Sequence, residues 1–569
     1  MSSDQPTGSL SDDMSGYITP GYDVEVAPDV SFYGPPGTGK TTALMEVVES
    51  EIESGTDPLN ICGSTYRKKM AAEFRERASE TVGRDVDEGW YRTTHAICYR
   101  LLDLRQEDVM ADEEINEFCR STGWPAPGHV GGDVEEDSPW VSLGGGNSDL
   151  TEGLLAVHSY CRNMGLDTTS YWNYAPISSD QREEISRRAV EEFVREYEQY
   201  KQDHDLYDFD DMLEVVVRQE RAPPVEVLIE DEFQDKTPLQ IEVYNTWAEQ
   251  IPQVYVAGDP AQAIYTFTGT RPKFMRKAHE MASDGRLLDQ SYRFGQDLAD
   301  EAFRLLRRGG HDAPDIEALG ETDIRRMPWA DFERDIRNQR GEDTGHLVRA
   351  NYLSSAVAAA LSSNGIPFRS RAATWTPKQL DLYNGVVRLV TQVEGLDALE
   401  RPDFGEMDPG ELQRVVGAMP ASHLRMTRNE LSDRIENGDL RDPLAAMTLE
   451  GITECLSGNP FDVESRDDST LLPSGIGSDG VQSRLKSAFQ GRGPEPIEEI
   501  NHDISTIHGA KGQEWDTVYL YNATTKTIHE EGSDMEESLV WYVGLTRAID
   551  RLVLVDDHPQ AKYTPGVIR

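Results

Sequence analysis

Cysteine is scarce in this 569-residue chain: there are five, Cys62, Cys98, Cys119, Cys161 and Cys455, and no CxxC pair among them. That spacing argues against structural zinc, an iron-sulfur centre and a disulfide framework, and it suits a reducing compartment. Long apolar runs are missing as well, none reaching the roughly 18 residues that crossing a bilayer requires. The first residues, MSSDQPTGSLSDDM, carry neither the basic nor the apolar region of a secretory signal. A cytoplasmic location is therefore expected, with no membrane partner and a disordered N-terminal segment over 1–27. Lysine is rare too, with 12 among the 55 basic residues, the other 43 being Arg.

What the chain has in excess is acid: 103 Asp and Glu give a net charge of −48, spread along the whole length. A strongly acidic, lysine-poor surface stays hydrated in concentrated salt, which points to a halophile or a virus of one. An acidic balance would ordinarily exclude nucleic acid, because Lys and Arg contacts to phosphate dominate such affinities. In molar salt that exclusion fails. The screening length drops to about 3 Å and counterion release gains little, so close contacts and base stacking carry more of the binding.

The length predicts several domains. Short β-branched strands alternate with helical patterns over roughly 28–102 with 205–283, and again over 284–374 with 499–569, the pattern of parallel α/β sheets. Each region is interrupted. The first insertion, 103–204, contains a Gly- and acid-rich loop and the charged stretch QREEISRRAVEEFVREYEQYKQ, which reads as one long helix with Phe193, Tyr197 and Tyr200 at helical spacing. The second, 375–498, contains the helix-like LYNGVVRLVTQVEGL and LAAMTLEGITECL and a loop rich in Ser, Gly and Asp.

After the short strand VSFY comes GPPGTGKT, residues Gly34, Pro35, Pro36, Gly37, Thr38, Gly39, Lys40 and Thr41, followed by Thr42 and a good helix former. This strand, glycine-rich turn and helix is a P-loop. Its glycines let successive backbone N–H groups face a β-phosphate, Lys40 reaches the β- and γ-phosphates, and the Thr41 hydroxyl ligates Mg²⁺. Such a loop needs an acidic partner ending another buried strand, and VEVLIEDE supplies it. Asp231 would hold Mg²⁺ and Glu232 would take a proton from the attacking water. The cofactors expected are ATP and Mg²⁺.

At DEFQD, residues 231–235, the chain resembles the UvrD/Rep-like superfamily 1 helicases, and the likeness continues in order. GSTYRKKMAAEF from Gly63 is similar to motif Ia, and YRTTHAICYR from Tyr91 to motif Ib. YDFDDML from Tyr207 resembles the segment preceding motif II. GDPAQAIYTF from Gly258 resembles motif III, DQSYR from Asp289 motif IV, TIHGAKGQE from Thr506 motif V and YVGLTRA from Tyr542 motif VI. The resemblance implies two RecA-like P-loop motor domains of α/β class, parallel sheets flanked by helices, with the insertions as mostly helical subdomains called 1B and 2B. Gln262 would sense the γ-phosphate, Arg293 and Arg547 would be arginine fingers from the second motor domain, Tyr292 would stack near the adenine and Glu514 would approach the ribose. Tyr66, Tyr265 and Phe267 would line a single-strand groove, where each stacked base contributes about 1 to 3 kcal/mol without sequence preference. Thr65, His95, Thr506 and His508 would contact backbone phosphates or relay between sites, although residues of these types are more often structural. Asp210 and Asp211 fit a helix cap or brace.

The family reading is a 3′-to-5′ DNA helicase acting on single-stranded DNA and its junctions with duplex, as a monomer or weak dimer. A translocase that strips proteins without efficient unwinding, a nucleotide-gated DNA-binding switch and an RNA substrate are the alternatives; the pathway, whether repair, replication, recombination or viral genome processing, is not written in these residues. Three departures stand out. Motif III continues Thr268-Gly-Thr where the family usually has Arg-Gly-Ala, no adenine-reading Gln motif precedes Gly34, and the chain ends 22 residues after Arg547, which would leave out the C-terminal extension of many relatives.

Overall fold

The computed structural model describes residues 22–65, 89–127, 150–175, 179–266, 269–338, 342–370, 424–440, 499–531 and 533–561, with isolated positions between them. The chain divides into two compact units, one taking in residues up to Asp323 together with Lys526–Asp550, the other Ile324–Thr525 and Arg551–Thr564.

The first unit is built on six strands, β1 (Val30–Tyr33), β2 (Ile61–Thr65), β3 (Arg92–Thr93), β4 (Val227–Glu230), β5 (Gln253–Gly258) and β6 (Asp284–Leu287), in the order β3-β2-β4-β5-β1-β6 and parallel throughout. The inner strands are apolar on both faces because both are covered. Val227 and Ile229 of β4 pack with Phe32 and with Leu44, Met45 and Val48 of the P-loop helix α1 (Lys40–Glu53). Leu228 between them turns to the opposite face, with Val254, Val256, Phe233 and Trp247. The first sheet runs one strand past residue 283, since β6 continues the parallel ladder from β1.

The described part of the first insertion is helical. Helices α2 (Thr94–Leu101), α3 (Leu150–Asn163), α4 (Arg187–His204), α5 (Phe209–Arg218) and α6 (Pro238–Ala248) follow one another along the chain, with α3 and α4 inside the insertion. Phe193 and Tyr197 of α4 are buried, their rings stacked 5.6 Å apart, and Phe118 sets its edge against both. The charged stretch expected as one helix is two, Ser179–Glu184 and α4, because the Ser186 hydroxyl caps α4 by accepting from Ala189 N at 3.2 Å.

The strands β7 (Gln290–Gly295) and β8 (Glu317–Gly320) pair with each other, and the second unit holds another six-stranded sheet from β9 (Asp323–Pro328), β10 (Thr344–Val348), β11 (Arg369–Ser370), β12 (His502–Thr506), β13 (Trp515–Tyr521) and β14 (Ala548–Asp556), ordered β11-β12-β10-β13-β14-β9. Of the second insertion, mainly 424–440 is described, including the helix Arg428–Glu436; the two helix-like segments expected there lie outside the described residues.

A polar string crosses this second core. His346 on β10 is fully buried, with Nδ1 2.9 Å from the Tyr521 hydroxyl and Nε2 3.0 Å from His502 Nδ1. Burial, and then His502, hold His346 far below the usual imidazole range, and burial brings His558 down to about 4. Both are neutral when folded and take up a proton on unfolding below about pH 6.5. Their contribution is complete above that pH and is lost as the pH falls. Urea unfolding of the second unit should therefore weaken by about 1.4 kcal/mol per pH unit per histidine between pH 6.5 and 5. His346→Phe should flatten the slope, and a midpoint indifferent to pH would contradict this account.

Candidate active site

Three neighbouring strands of the first sheet deliver the site at their carboxyl ends, the end where open α/β sheets bind ligands. The P-loop leaves β1, Asp231 follows β4, and Asp259 follows β5, which lies between them. Gly37 and Gly39 take left-handed backbone at φ 75° and 81°. A Cβ on Gly37 would collide with the Arg293 side chain, so only glycine fits where motif IV crosses the loop. That crossing is pinned by Tyr292 N donating to Gly37 O at 2.9 Å and by the Ser291 hydroxyl donating to Pro36 O at 2.9 Å. The Tyr292 ring itself is 66% exposed.

Within the loop, Lys40 Nζ donates to Gly34 O at 2.7 Å and Pro35 O at 3.0 Å, and the Thr38 hydroxyl to Pro35 O at 2.8 Å. Thr42 is exposed on the first turn of α1. The Thr41 hydroxyl meets Asp231 Oδ2 at 3.1 Å. Burial, and after it the neighbouring Glu232, push the Asp231 carboxyl up to about 7. A hydroxyl and a carboxylate brought together where a second negative charge opposes ionisation are a donor set that a divalent cation would relieve. Glu232 sits at φ 52°, a left-handed conformation costing a non-glycine residue about 1 kcal/mol or more, which its surroundings must hold.

They hold it through a continuous chain of side chains. Gln234 Nε2 donates to Glu232 Oε2, and Gln234 Oε1 accepts from Asp259 N at 2.9 Å. Asp259 Oδ2 in turn accepts from Gln262 Nε2 at 3.0 Å and from the Tyr542 hydroxyl at 3.4 Å. Gln262 Oε1 accepts from Arg547 Nη2 at 3.0 Å. Arg547 is 1% exposed and also donates from Nε to Val543 O at 3.1 Å, while Arg293 Nη1 reaches Thr546 O at 3.4 Å. Both arginines, Gln262 and the P-loop fall within the first unit, because the helix Asp534–Leu545 returns to it. Gln234, Asp259 and Tyr542 were not singled out from sequence, although all three lie inside quoted motifs. Lys236, directly after DEFQD, was also missed: it is buried, with Nζ 3.0 Å from the buried Glu230 carboxylate.

The nucleic-acid candidates are divided. Thr65 and His95 share a cavity of about 10 Å³ with Asp231, Glu232, Lys236 and Gln240. His95 sets its ring edge-on to the exposed Phe209 at 5.8 Å, and burial lowers its pKa to about 4. Tyr265 is 4% exposed and packs inside. Tyr66, Phe267 and Thr268 lie outside the described residues. Thr506, His508 and Glu514 belong to the second unit, where Thr506 ends β12 and its hydroxyl accepts from Gly509 N at 3.1 Å, and Glu514 is exposed. Asp211 closes a capping box with Asp208 at the start of α5, each backbone N–H donating to the other's carboxylate, at 2.8 and 2.9 Å.

A parallel sheet carrying a P-loop, an acidic strand end beside it and two arginines at the same site defines a P-loop nucleotide-hydrolase fold of RecA type. The profile of the UvrD/REP helicase N-terminal domain matches residues 28–283 and that of the UvrD-like helicase C-terminal domain matches 492–556, together more than half of the chain. The chain belongs to the UvrD-like helicase family. It is 24% identical to "ATP-dependent DNA helicase UvrD2" of Mycobacterium tuberculosis over 91% of this chain and 75% of that one. It is 21% identical to "ATP-dependent DNA helicase PcrA" of Bacillus subtilis, over 91% and 79% of the two chains, and 22% identical to "ATP-dependent DNA helicase Rep" of Salmonella typhimurium, over 90% and 86%. Among the described residues, no helix is long and apolar enough to cross a membrane.

Proposed function

We propose that this protein is an ATP-dependent DNA helicase that moves 3′ to 5′ along single-stranded DNA and separates strands at junctions. The observation that carries the reading is the hydrogen-bonded chain Glu232, Gln234, Asp259, Gln262, Arg547 beside the P-loop. It ties the base candidate to the γ-phosphate sensor and an arginine finger. Thr65 and His95 line the same small cavity as Asp231 and Glu232, so a strand contacted by these two residues would lie close to the hydrolytic carboxylates, which supports coupling to DNA. Polarity rests on the family resemblance.

In the proposed cycle Lys40 leaves the loop carbonyls for the β- and γ-phosphates, and Glu232 takes the proton as water attacks the γ-phosphorus and the bond to the β-phosphate oxygen breaks. Thr41 and Asp231 would hold Mg²⁺, which neutralises charge on the phosphate oxygens when bound. Arg293 and Arg547 stabilise the charge spread over the γ-phosphoryl group. Tyr292, 66% exposed where motif IV crosses the loop, would stack on the adenine, and a ribose contact from Glu514 rests on the family resemblance alone. The acidic, lysine-poor composition supports work in a halophilic cytoplasm.

The test is ATP hydrolysis in molar KCl with and without single-stranded DNA. DNA should stimulate the wild type, and Lys40→Ala should lose activity by roughly 10³-fold or more, comparable to loss of other γ-phosphate contacts. Strand displacement should require a 3′ tail. Turnover indifferent to DNA would leave a nucleotide-gated switch, and DNA-stimulated turnover without displacement a translocase that strips proteins.

A further inference from the structure

The inserted helices meet motif II at a buried polar joint formed by the last two residues of α3, Arg162 and Asn163. Arg162 faces α5: Nη1 donates to both carboxylate oxygens of Asp208 at 3.0 and 2.9 Å, Nη2 to Asp211 Oδ1 at 2.6 Å and Nε to Glu214 Oε1 at 2.8 Å. Lys201 of α4 donates to Asp208 and Asp211, each at 2.7 Å. The carboxylates of Glu198, Asp208 and Asp211 converge as a metal site would, but Arg162 and Lys201 already supply the positive charge, so this is a joint between helices.

Asn163 faces motif II. Its Nδ2 donates to Asp210 Oδ1 at 2.5 Å, and its Oδ1 accepts from the Thr237 hydroxyl at 2.9 Å. That hydroxyl also accepts from Gln240 N at 3.3 Å as the cap of α6, and Gln240 Oε1 accepts from Thr237 N at 3.1 Å. Every donor in the run from Gln240 N to Asp210 points the same way, and all four residues are buried. Between a carboxylate on one side and a donating hydroxyl on the other, the centre must donate one way and accept the other, and the Asn163 amide does both from one planar group. Thr237 follows Lys236, and Lys236 is paired with Glu230, so the residues bracketing Asp231–Asp235 are tied across the turn. A displaced Thr237 would displace the turn that aims Glu232.

We propose that Asn163 is a positioning residue for ATP turnover, holding the Asp231–Glu232 turn through Thr237 and registering the inserted helices against it. The proposal rests on the hydrolysis reading above. It adds that the insertion sets the rate of the chemical step and leaves nucleotide affinity untouched.

The test uses the full chain with single-stranded DNA and compares wild type, Asn163→Asp, Asn163→Leu and the exchange Asn163→Asp/Asp210→Asn. In the exchange the amide at 210 donates to the carboxylate at 163, whose other oxygen still accepts from Thr237, so the run is rebuilt with donor and acceptor swapped. Both single variants should lose about tenfold in kcat with KM for ATP changed by less than about twofold, and the exchange should recover most of the loss. Amide hydrogen exchange at Thr237, Gln240 and Ile241 should accelerate in the single variants, slow again in the exchange, and do so without a matching fall in global melting temperature. Asn163→Leu adds no buried charge, so it keeps the test open if Asn163→Asp folds poorly. Wild-type kcat and exchange in Asn163→Leu, or an exchange variant that restores neither, would overturn the proposal. A wild type that hydrolyses no ATP would instead overturn the hydrolysis reading, and amide exchange alone would then decide whether Asn163 positions the turn.

Discussion

Arg547→Ala is expected to lower DNA-stimulated ATP hydrolysis by roughly 10³-fold, the scale of losing an arginine that neutralises a γ-phosphoryl transition state. ATP affinity should fall by no more than about tenfold, since a group acting mainly in the transition state contributes little to ground-state binding. Arg547 donates to Gln262 Oε1, so its guanidinium stands beside the residue proposed to sense the γ-phosphate. It is also nearly sealed from solvent, and its removal leaves the Val543 carbonyl and Gln262 without that donor. A stability loss of about 1 to 3 kcal/mol should accompany the kinetic effect. Arg547→Lys separates the two, because lysine keeps the charge while losing the planar fork. Steady-state hydrolysis with a fluorescent-nucleotide titration and a melting curve reads all three. Full turnover in Arg547→Ala, or a loss of affinity as large as the loss of kcat, would remove Arg547 from the hydrolytic machinery.

The parts of this site that were legible in the sequence are those whose physics is local. The P-loop was readable because left-handed glycines, an N-terminal helix and a buried strand must occur within about a dozen contiguous residues. Asp231 was readable for the same reason, at the end of an apolar run that needs both faces covered. Long-range partnerships left no such mark. Nothing in the spacing of Gln234, Asp259 and Tyr542 says that they join in one chain, because the contacts form only when β4, β5 and a helix from residues 534–545 are brought together. Period-3.6 patterning carried the long charged stretch through Ser186, since one serine hardly disturbs the apolar spacing; the hydroxyl ends that helix by capping the next. Tyr265 was assigned to a DNA groove by motif, and the chain packs it against the interior, which the sequence around it does not signal. The pairing of β6 with β1 was not legible because β6 is exposed and polar, Asp-Gly-Arg-Leu, and reads as loop.

Glu232→Gln should separate binding from chemistry more cleanly than any P-loop variant, with kcat reduced by roughly 10³-fold, within the usual range for loss of a general base, and ATP bound as well as or better than in wild type. The substitution is nearly isosteric and changes no backbone requirement, so the left-handed turn at 232 should persist. Gln234 Nε2, which donates to Glu232 Oε2, finds an amide oxygen in the same place, and the chain onward to Asp259 and Gln262 stays intact. What is lost is the capacity to accept a proton from water. The charge opposing Asp231 is lost as well, so a divalent ion and the triphosphate should meet less repulsion from the site. A stalled, ATP-loaded protein follows, and single-stranded DNA should remain bound to it in whichever affinity state ATP favours. Filter binding with labelled ATP, single-turnover hydrolysis and DNA anisotropy on the same preparation test this directly. Retained turnover would assign proton abstraction to another group, and a collapse of ATP binding would show that Glu232 holds the loop together instead of acting on water.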